Sequence, residues 1–227
     1  MDDRNASPIN ALPPVVAALA LSIGGVELVL TLAERGLAGG AGGLGWRVAA
    51  IERYGVFQAV LDAMAGRGVL PPEHVLRLVA YPFVHYGFGH AVMAVVFVLA
   101  MGKFVGEAFA GWAVALVFFS SAALGALLWW ALVDDPAPLI GGYPGAYGLI
   151  GAFTYLLWAD LAGRGRGQAR AFRLIAVLVG IQLVFFGLFG GGLSFVADLG
   201  GFAAGFAMSV LLAPGGWARI VERMRRR

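Results

Sequence analysis

Few side chains in this sequence can do acid–base or nucleophilic chemistry, and most of them fall into three short stretches. "HYGFGH" holds two of the chain's three histidines, His85 and His90. "GGYPGAYG" holds Tyr143 and Pro144, and "SFVADLGG" holds Ser194 and Asp198 four residues apart. A hydroxyl beside an imidazole or a carboxylate permits nucleophilic attack assisted by a base, a proton relay, or polar adhesion between helices. The chain has no cysteine, which excludes a thiolate nucleophile, a disulfide framework and a cysteine metal site. The spread of the three histidines has no ligand spacing, so neither a metal nor another cofactor is expected. His74 follows Pro71, Pro72 and Glu73 at a helix start, where a surface role is expected. Ser120 and Ser121 sit inside an apolar run, where they should bond to helix carbonyls or line a packing seam.

The elements that must position these residues are membrane spans. Of 227 residues, 60% are hydrophobic and 13% are charged. Soluble domains average about 25% charged residues, so the expected class is an all-α polytopic membrane protein. A span needs about 20 mostly apolar residues. Six candidates meet that length or approach it: Pro13–Leu32 with Glu27 as its one charge, Gly89–Val105, Trp112–Val133, Gly145–Ala162, Phe172–Phe189 and Val196–Ala213. Pro136, Pro138 and Pro144 punctuate the third connection, Gly190 to Gly192 the fifth, and no internal repeat stands out. The start, "MDDRNASPINALPPVV", has no basic n-region, so the first run is expected to be retained rather than cleaved.

Charge placement orients the bundle. The fourth connection carries Arg164, Arg166, Arg170 and Arg173, and the tail carries Arg219, Arg223, Arg225, Arg226 and Arg227. The third connection carries Asp134 and Asp135. The positive-inside rule then makes both termini cytoplasmic and the basic tail a topology signal rather than a nucleic-acid patch. The expected organisation is a cytoplasmic segment 1–12, a membrane domain 13–213 and a cytoplasmic tail 214–227. An outer insert spans 33–80. Within it, Trp46 to Met64 has helical periodicity, with Trp46, Ala49, Val56, Phe57, Val60, Leu61 and Met64 on one side, and reads as one amphipathic helix lying in the interface.

In this topology the second, fourth and sixth spans run the same way, so their first turns share one depth. His85 and His90, Tyr143 and Pro144, and Asp198 should therefore converge near the outer surface. The fourth span has Gly141, Gly145, Gly148 and Gly151, and the sixth has Gly201 and Gly205 in "GFAAG". Such small-residue surfaces let backbones touch.

"HYGFGHAVMA", "GGYPGAYGLIGA" and "DLGGFAAG" opening these spans, with the long outer insert, resemble the rhomboid family of intramembrane serine proteases. Gly141, Gly148, Leu149 and Gly151 match the family's fourth-span pattern, and Leu199, Gly200, Gly201 and Gly205 match the flank of its sixth-span histidine. Arg77 falls where the family has the Arg of a Trp-Arg pair, with Leu76 at the Trp. The resemblance implies a six-helix bundle in which a serine on span four attacks, a histidine on span six takes its proton, and a His and an Asn on span two help hold the oxyanion. It also implies a degenerate member. The serine position is Tyr143, the next glycine is Pro144, the histidine is Asp198 and the asparagine is Ala94. His90 is retained, with His85 five residues before it.

Tyr143 and Asp198 do not make a substitute dyad. Reference pKa values near 10 and near 4 leave a mismatch of about six units. A Tyr143 hydroxyl donating to Asp198 is expected instead, as adhesion between helices. The favoured reading is a rhomboid-like integral membrane protein of a bacterial cytoplasmic membrane without peptidase activity. It would contact lipid and the transmembrane segments of other proteins. Two alternatives stay open. One is an active endopeptidase with Ser194 as nucleophile and His85 or His90 as base. The other is a proton-coupled small-solute permease relaying through Asp198, His85 and His90.

Overall fold

The computed structural model describes residues 11–189 and 192–213, apart from the side chains of Phe185 and Phe189. The N-terminal segment up to residue 10 and the tail from 214, with its five arginines, lie outside the described residues. The described chain is helical: α1 Pro14–Glu34, α2 Gly40–Gly43, α3 Trp46–Tyr54, α4 Gln58–Arg67, α5 Pro72–Val75, α6 Arg77–Ala80, α7 Phe88–Ala108, α8 Gly111–Leu132, α9 Tyr143–Gly163, α10 Arg173–Phe189 and α11 Phe195–Leu212. Short 3-10 turns, Tyr81–Phe83 and Gln168–Phe172, lead into α7 and α10.

Among the described residues, five stretches are long and apolar enough to cross a membrane: Pro14–Glu34, Phe88–Ala108, Gly111–Leu132, Gln168–Leu188 and Phe195–Leu212. The remaining long helix, α9, has 21 residues and corresponds to the expected fourth span. Its glycines and tyrosines make it less apolar than its neighbours, and it is the central helix, with 12 of its residues buried. Proline starts two of the long helices at positions whose N–H would lack an intrahelical partner: Pro14 in α1 and Pro144 in α9. The main core joins Val16, Ile23, Val98, Phe118 and Leu149, from α1, α7, α8 and α9.

Backbone contact replaces side-chain packing between α9 and α11. A methyl group added at Gly201 would meet the Pro144 carbonyl, and one added at Gly205 would meet the Gly148 carbonyl. The expected glycine surfaces therefore face each other. In membrane helices, where lipid is as apolar as leucine, such close approach replaces the hydrophobic drive. Ser121 lies buried in the same seam against Gly148, while the Ser120 hydroxyl donates to the Leu116 carbonyl, as expected.

The insert departs from the expected single amphipathic helix. α3 ends at Tyr54 and α4 begins at Gln58. Between them Val56 forms an antiparallel bridge with Leu139: Val56 N donates to Leu139 O at 3.0 Å and Leu139 N to Val56 O at 2.9 Å. That pairing needs extended backbone, which a continuous helix cannot supply. Arg77 stabilises the break, donating from Nη1 to the carbonyls of Glu52 (2.8 Å) and Gly55 (2.7 Å) and lying over the Phe57 ring. Leu76 is exposed. Trp46 and Ala49 are also exposed, and the residue of α3 that turns inward is Arg47. On its inward side α3 is held to the protein by the Arg47 ion pairs with Glu27 and Glu34.

Candidate functional site

The site lies where α7, α9 and α11 begin. Two loops leading into it are stitched together by main-chain donors. Gly141 N donates to Tyr81 O at 3.1 Å, and Gly142 N donates to His85 Nε2 at 3.1 Å. The Tyr86 hydroxyl donates to Pro138 O at 2.8 Å, and that of Tyr81 to Ala122 O at 2.8 Å. Gly141 has φ +100°, and a Cβ there would stand 2.7 Å from His90 Cε1, so both backbone and space require glycine.

His85 is fully buried. Burial, together with His90 beside it, pushes its pKa down to about 4. Its Nε2 accepts from Gly142, so the ring is a neutral acceptor whose proton sits on Nδ1. Its lone pair is thus committed, and His85 is removed as a base for Ser194 or as a link in a relay. Its role is to hold the turn that starts α9.

His90 and Tyr143 face each other as stacked rings, centroids 4.8 Å apart and 23° from parallel. The Tyr143 hydroxyl donates to the His90 carbonyl at 3.2 Å. The expected Tyr143–Asp198 hydrogen bond is not what forms. Asp198 Oδ2 accepts instead from Gln182 Nε2 at 2.8 Å. Gln182 was missed by the sequence reading. The signal existed, because it is the one amide in the apolar run of α10.

His90, Tyr143, Pro144, Ser194 and Asp198 nevertheless share one cavity of about 170 Å³, also lined by Leu139, Ile140 and Gln182. The expected convergence of three helix starts is therefore present. Asp198 and Pro144 form its buried floor, and exposed Ser194 stands on its rim. Ser194 occupies the position before α11 but makes no side-chain cap. Ala94 is fully buried behind Gly142.

A second polar group braces the site from the insert. Arg47 Nη1 donates to Glu27 Oε2 (2.9 Å) and to the His85 carbonyl (2.7 Å), while Nη2 reaches Glu27 Oε1 (2.9 Å) and Nε reaches Glu34 Oε1 (2.6 Å). Thr31 donates to Glu27 Oε1 at 2.8 Å. The two carboxylates hold the Arg47 pKa well above its ordinary value. Glu27, the lone charge expected in the first span, is buried and paired. Its partner was not legible from spacing. Among the described residues no group of three or more His, Asp or Glu side chains could hold a metal ion.

The arrangement holds two stacked rings, a carboxylate fixed by an amide, and a hydroxyl on the rim. It offers acceptors and an aromatic wall. At the positions that the resemblance assigns to the attacking serine and its histidine base stand Tyr143, whose ring is packed, and Asp198.

No curated protein matches the chain. The Rhomboid domain model matches residues 72–215, which is more than half of it. That match covers α5 to α11, the glycine-packed α9 and α11 and the cavity between their first turns, and on it the chain belongs to the rhomboid family.

Proposed function

We propose that the protein is a rhomboid-fold membrane protein that binds transmembrane segments of other proteins and does not hydrolyse them. The observation that carries this reading is Tyr143 at the nucleophile position, with its ring stacked on His90 and its hydroxyl donating to the His90 carbonyl. That packing takes up the space where a scissile carbonyl would meet the imidazole. Pro144 beside it has no N–H, and Ala94 has no side-chain amide, so two oxyanion donors implied by the family pattern are missing. Asp198, at the base position, is held by Gln182.

Binding draws support from α10. Among its described side chains the buried one is Ile175, and Val177, Ile181, Val184 and Leu188 are exposed. A helix this loosely held leaves apolar surface for another helix to cover. The placement of arginines supports cytoplasmic termini, which puts the cavity mouth toward the outer face.

The test pairs two measurements on protein in nanodiscs. A labelled model transmembrane helix should bind saturably, and no cleavage product should appear. Cleavage that Tyr143→Phe with Asp198→Asn abolishes would sink the reading, and so would a lack of saturable binding.

A second reading has one observation in its favour: Ser194 and His90 line the same cavity. In it, Ser194 is the nucleophile of an endopeptidase. A fluorophosphonate probe decides, since labelling lost in Ser194→Ala is required by it.

A further inference from the structure

We infer that the cavity floored by Asp198 receives a basic side chain, a Lys or Arg carried about one turn from the end of the transmembrane segment that the protein binds. The inference rests on the binding reading above and adds what the bound segment must contain. Asp198 is 6% exposed and lies in the first turn of α11. An intramembrane carboxylate is costly and finds a partner by default. Among the described residues, the ion pairs are those of Arg47 with Glu27 and Glu34 and of Arg164 with Asp160. Asp198 joins none of them, and its side-chain hydrogen bond is a neutral one from Gln182.

Apart from the imidazole of His90, whose Nδ1 accepts from Tyr86 N and whose Nε2 therefore carries the proton, the remaining polar side chains of the cavity offer acceptors. Gln182 Oε1 is buried without a hydrogen-bond partner. The Ser194 hydroxyl stands exposed on the rim, and the Tyr143 hydroxyl has already donated its proton to the His90 carbonyl. A carboxylate, an amide oxygen and a hydroxyl make three acceptors, and an ammonium carries three donors. Charge and hydrogen-bond count therefore agree on a cation.

Size and depth agree as well. A cavity of about 170 Å³ exceeds the roughly 30 Å³ share of one liquid water several times, enough for an ammonium with its last methylenes. Asp198 is the fourth residue of α11, which at about 1.5 Å per residue lies roughly 5 Å below the helix start. A basic side chain one turn from the end of its own helix reaches that depth. One in mid-span does not.

The experiment uses full-length protein in nanodiscs and synthetic leucine–alanine helices of about 20 residues with a fluorescent label. Three probes carry Lys one turn from one end, Met at that position, or Lys at mid-span. The expected result is that the end-Lys helix binds at least about tenfold more tightly than the other two, and that Asp198→Asn brings all three within about twofold. Equal affinity for the end-Lys and Met helices overturns the inference while leaving the binding reading intact. A Lys preference that survives Asp198→Asn also overturns it, because the ammonium is then met by headgroups. Binding of none of the probes overturns both the inference and the reading beneath it. If Asp198→Asn does not fold, the end-Lys and Met helices are compared on the unmodified protein and on empty nanodiscs; a Lys preference of equal size on both overturns the inference, and one confined to the protein supports it.

Discussion

The Tyr143 hydroxyl donates to the main-chain carbonyl of His90 at 3.2 Å while the two rings stack at 4.8 Å. One residue of α9 and one of α7 thus lock together through both backbone and side chain. His90 thereby serves as a wall of the cavity, with the Tyr143 ring stacked against it.

On the proposed reading, placing a serine at position 143 and a histidine at position 198 should not by itself yield chemistry. Tyr143→Ser with Asp198→His supplies a hydroxyl and a base, but Pro144 still withholds a donor from the oxyanion. Loss of one such donor costs about 10²–10³ in rate. Fluorophosphonate labelling is expected to be absent in the unmodified protein and marginal in the double variant. It should become measurable when Pro144→Gly is added. Strong labelling of the unmodified protein would contradict the proposed function.

The backbone seam makes a sharp stability prediction. Gly205→Ala drives a methyl into the Gly148 carbonyl and should cost about 1–3 kcal/mol, read as a lower thermal midpoint in detergent. Gly180→Ala, where a methyl meets nothing within 4 Å, should be neutral or slightly stabilising. Equal effects at the two sites would mean the close approach of α9 and α11 is wrong.

Arg47→Met leaves Glu27 buried without its cation and the His85 carbonyl without its donor. Breaking one side of a buried pair costs about 3–5 kcal/mol. Glu27→Gln in the same background should recover part of that loss. A double-mutant cycle by chemical unfolding in detergent measures the coupling, and a coupling near zero would contradict the ion pair.

His85 gives a pH signature. Its folded pKa is depressed to about 4 by burial, against an unfolded value of 6.5. The folded state therefore keeps it neutral while the unfolded state takes up a proton below pH 6.5. Stability that is full above pH 6.5 is lost as pH falls toward 4, by roughly 3 kcal/mol at most, and no further below that. His85→Gln keeps an acceptor for Gly142 and removes this titration. Its unfolding midpoint should fall less steeply between pH 6.5 and 4 than that of the unmodified protein. Parallel acid limbs would show that neighbouring carboxylates carry the effect.

Most of the frame was legible because apolar run length and glycine spacing are local properties. The ends of α1, α7, α8 and α11 fall within three residues of the expected spans. The convergence of His90, Tyr143 and Asp198 followed from topology, since like-directed helices bring their first turns to one depth. What was not legible depends on long-range partners. Arg47 reads as a polar residue beside an exposed tryptophan until Glu27, twenty residues earlier, is folded against it. The break at Val56 needs Leu139 to explain it. The destination of the Tyr143 proton depended on which way a ring turned, and nothing local decides between His90 and Asp198.

The contact of Gly205 with the Gly148 carbonyl has a mechanical consequence. Two helices joined main chain to main chain can neither slide nor rotate without collision, so α9 and α11 form a single stiff beam. α10 is fastened to that beam by rings near Ile175 and, farther along, by Gln182 on Asp198 and Phe186 on Phe195. The Gln182–Asp198 hydrogen bond is thus a polar tie between α10 and the beam, set beyond the apolar contacts near Ile175.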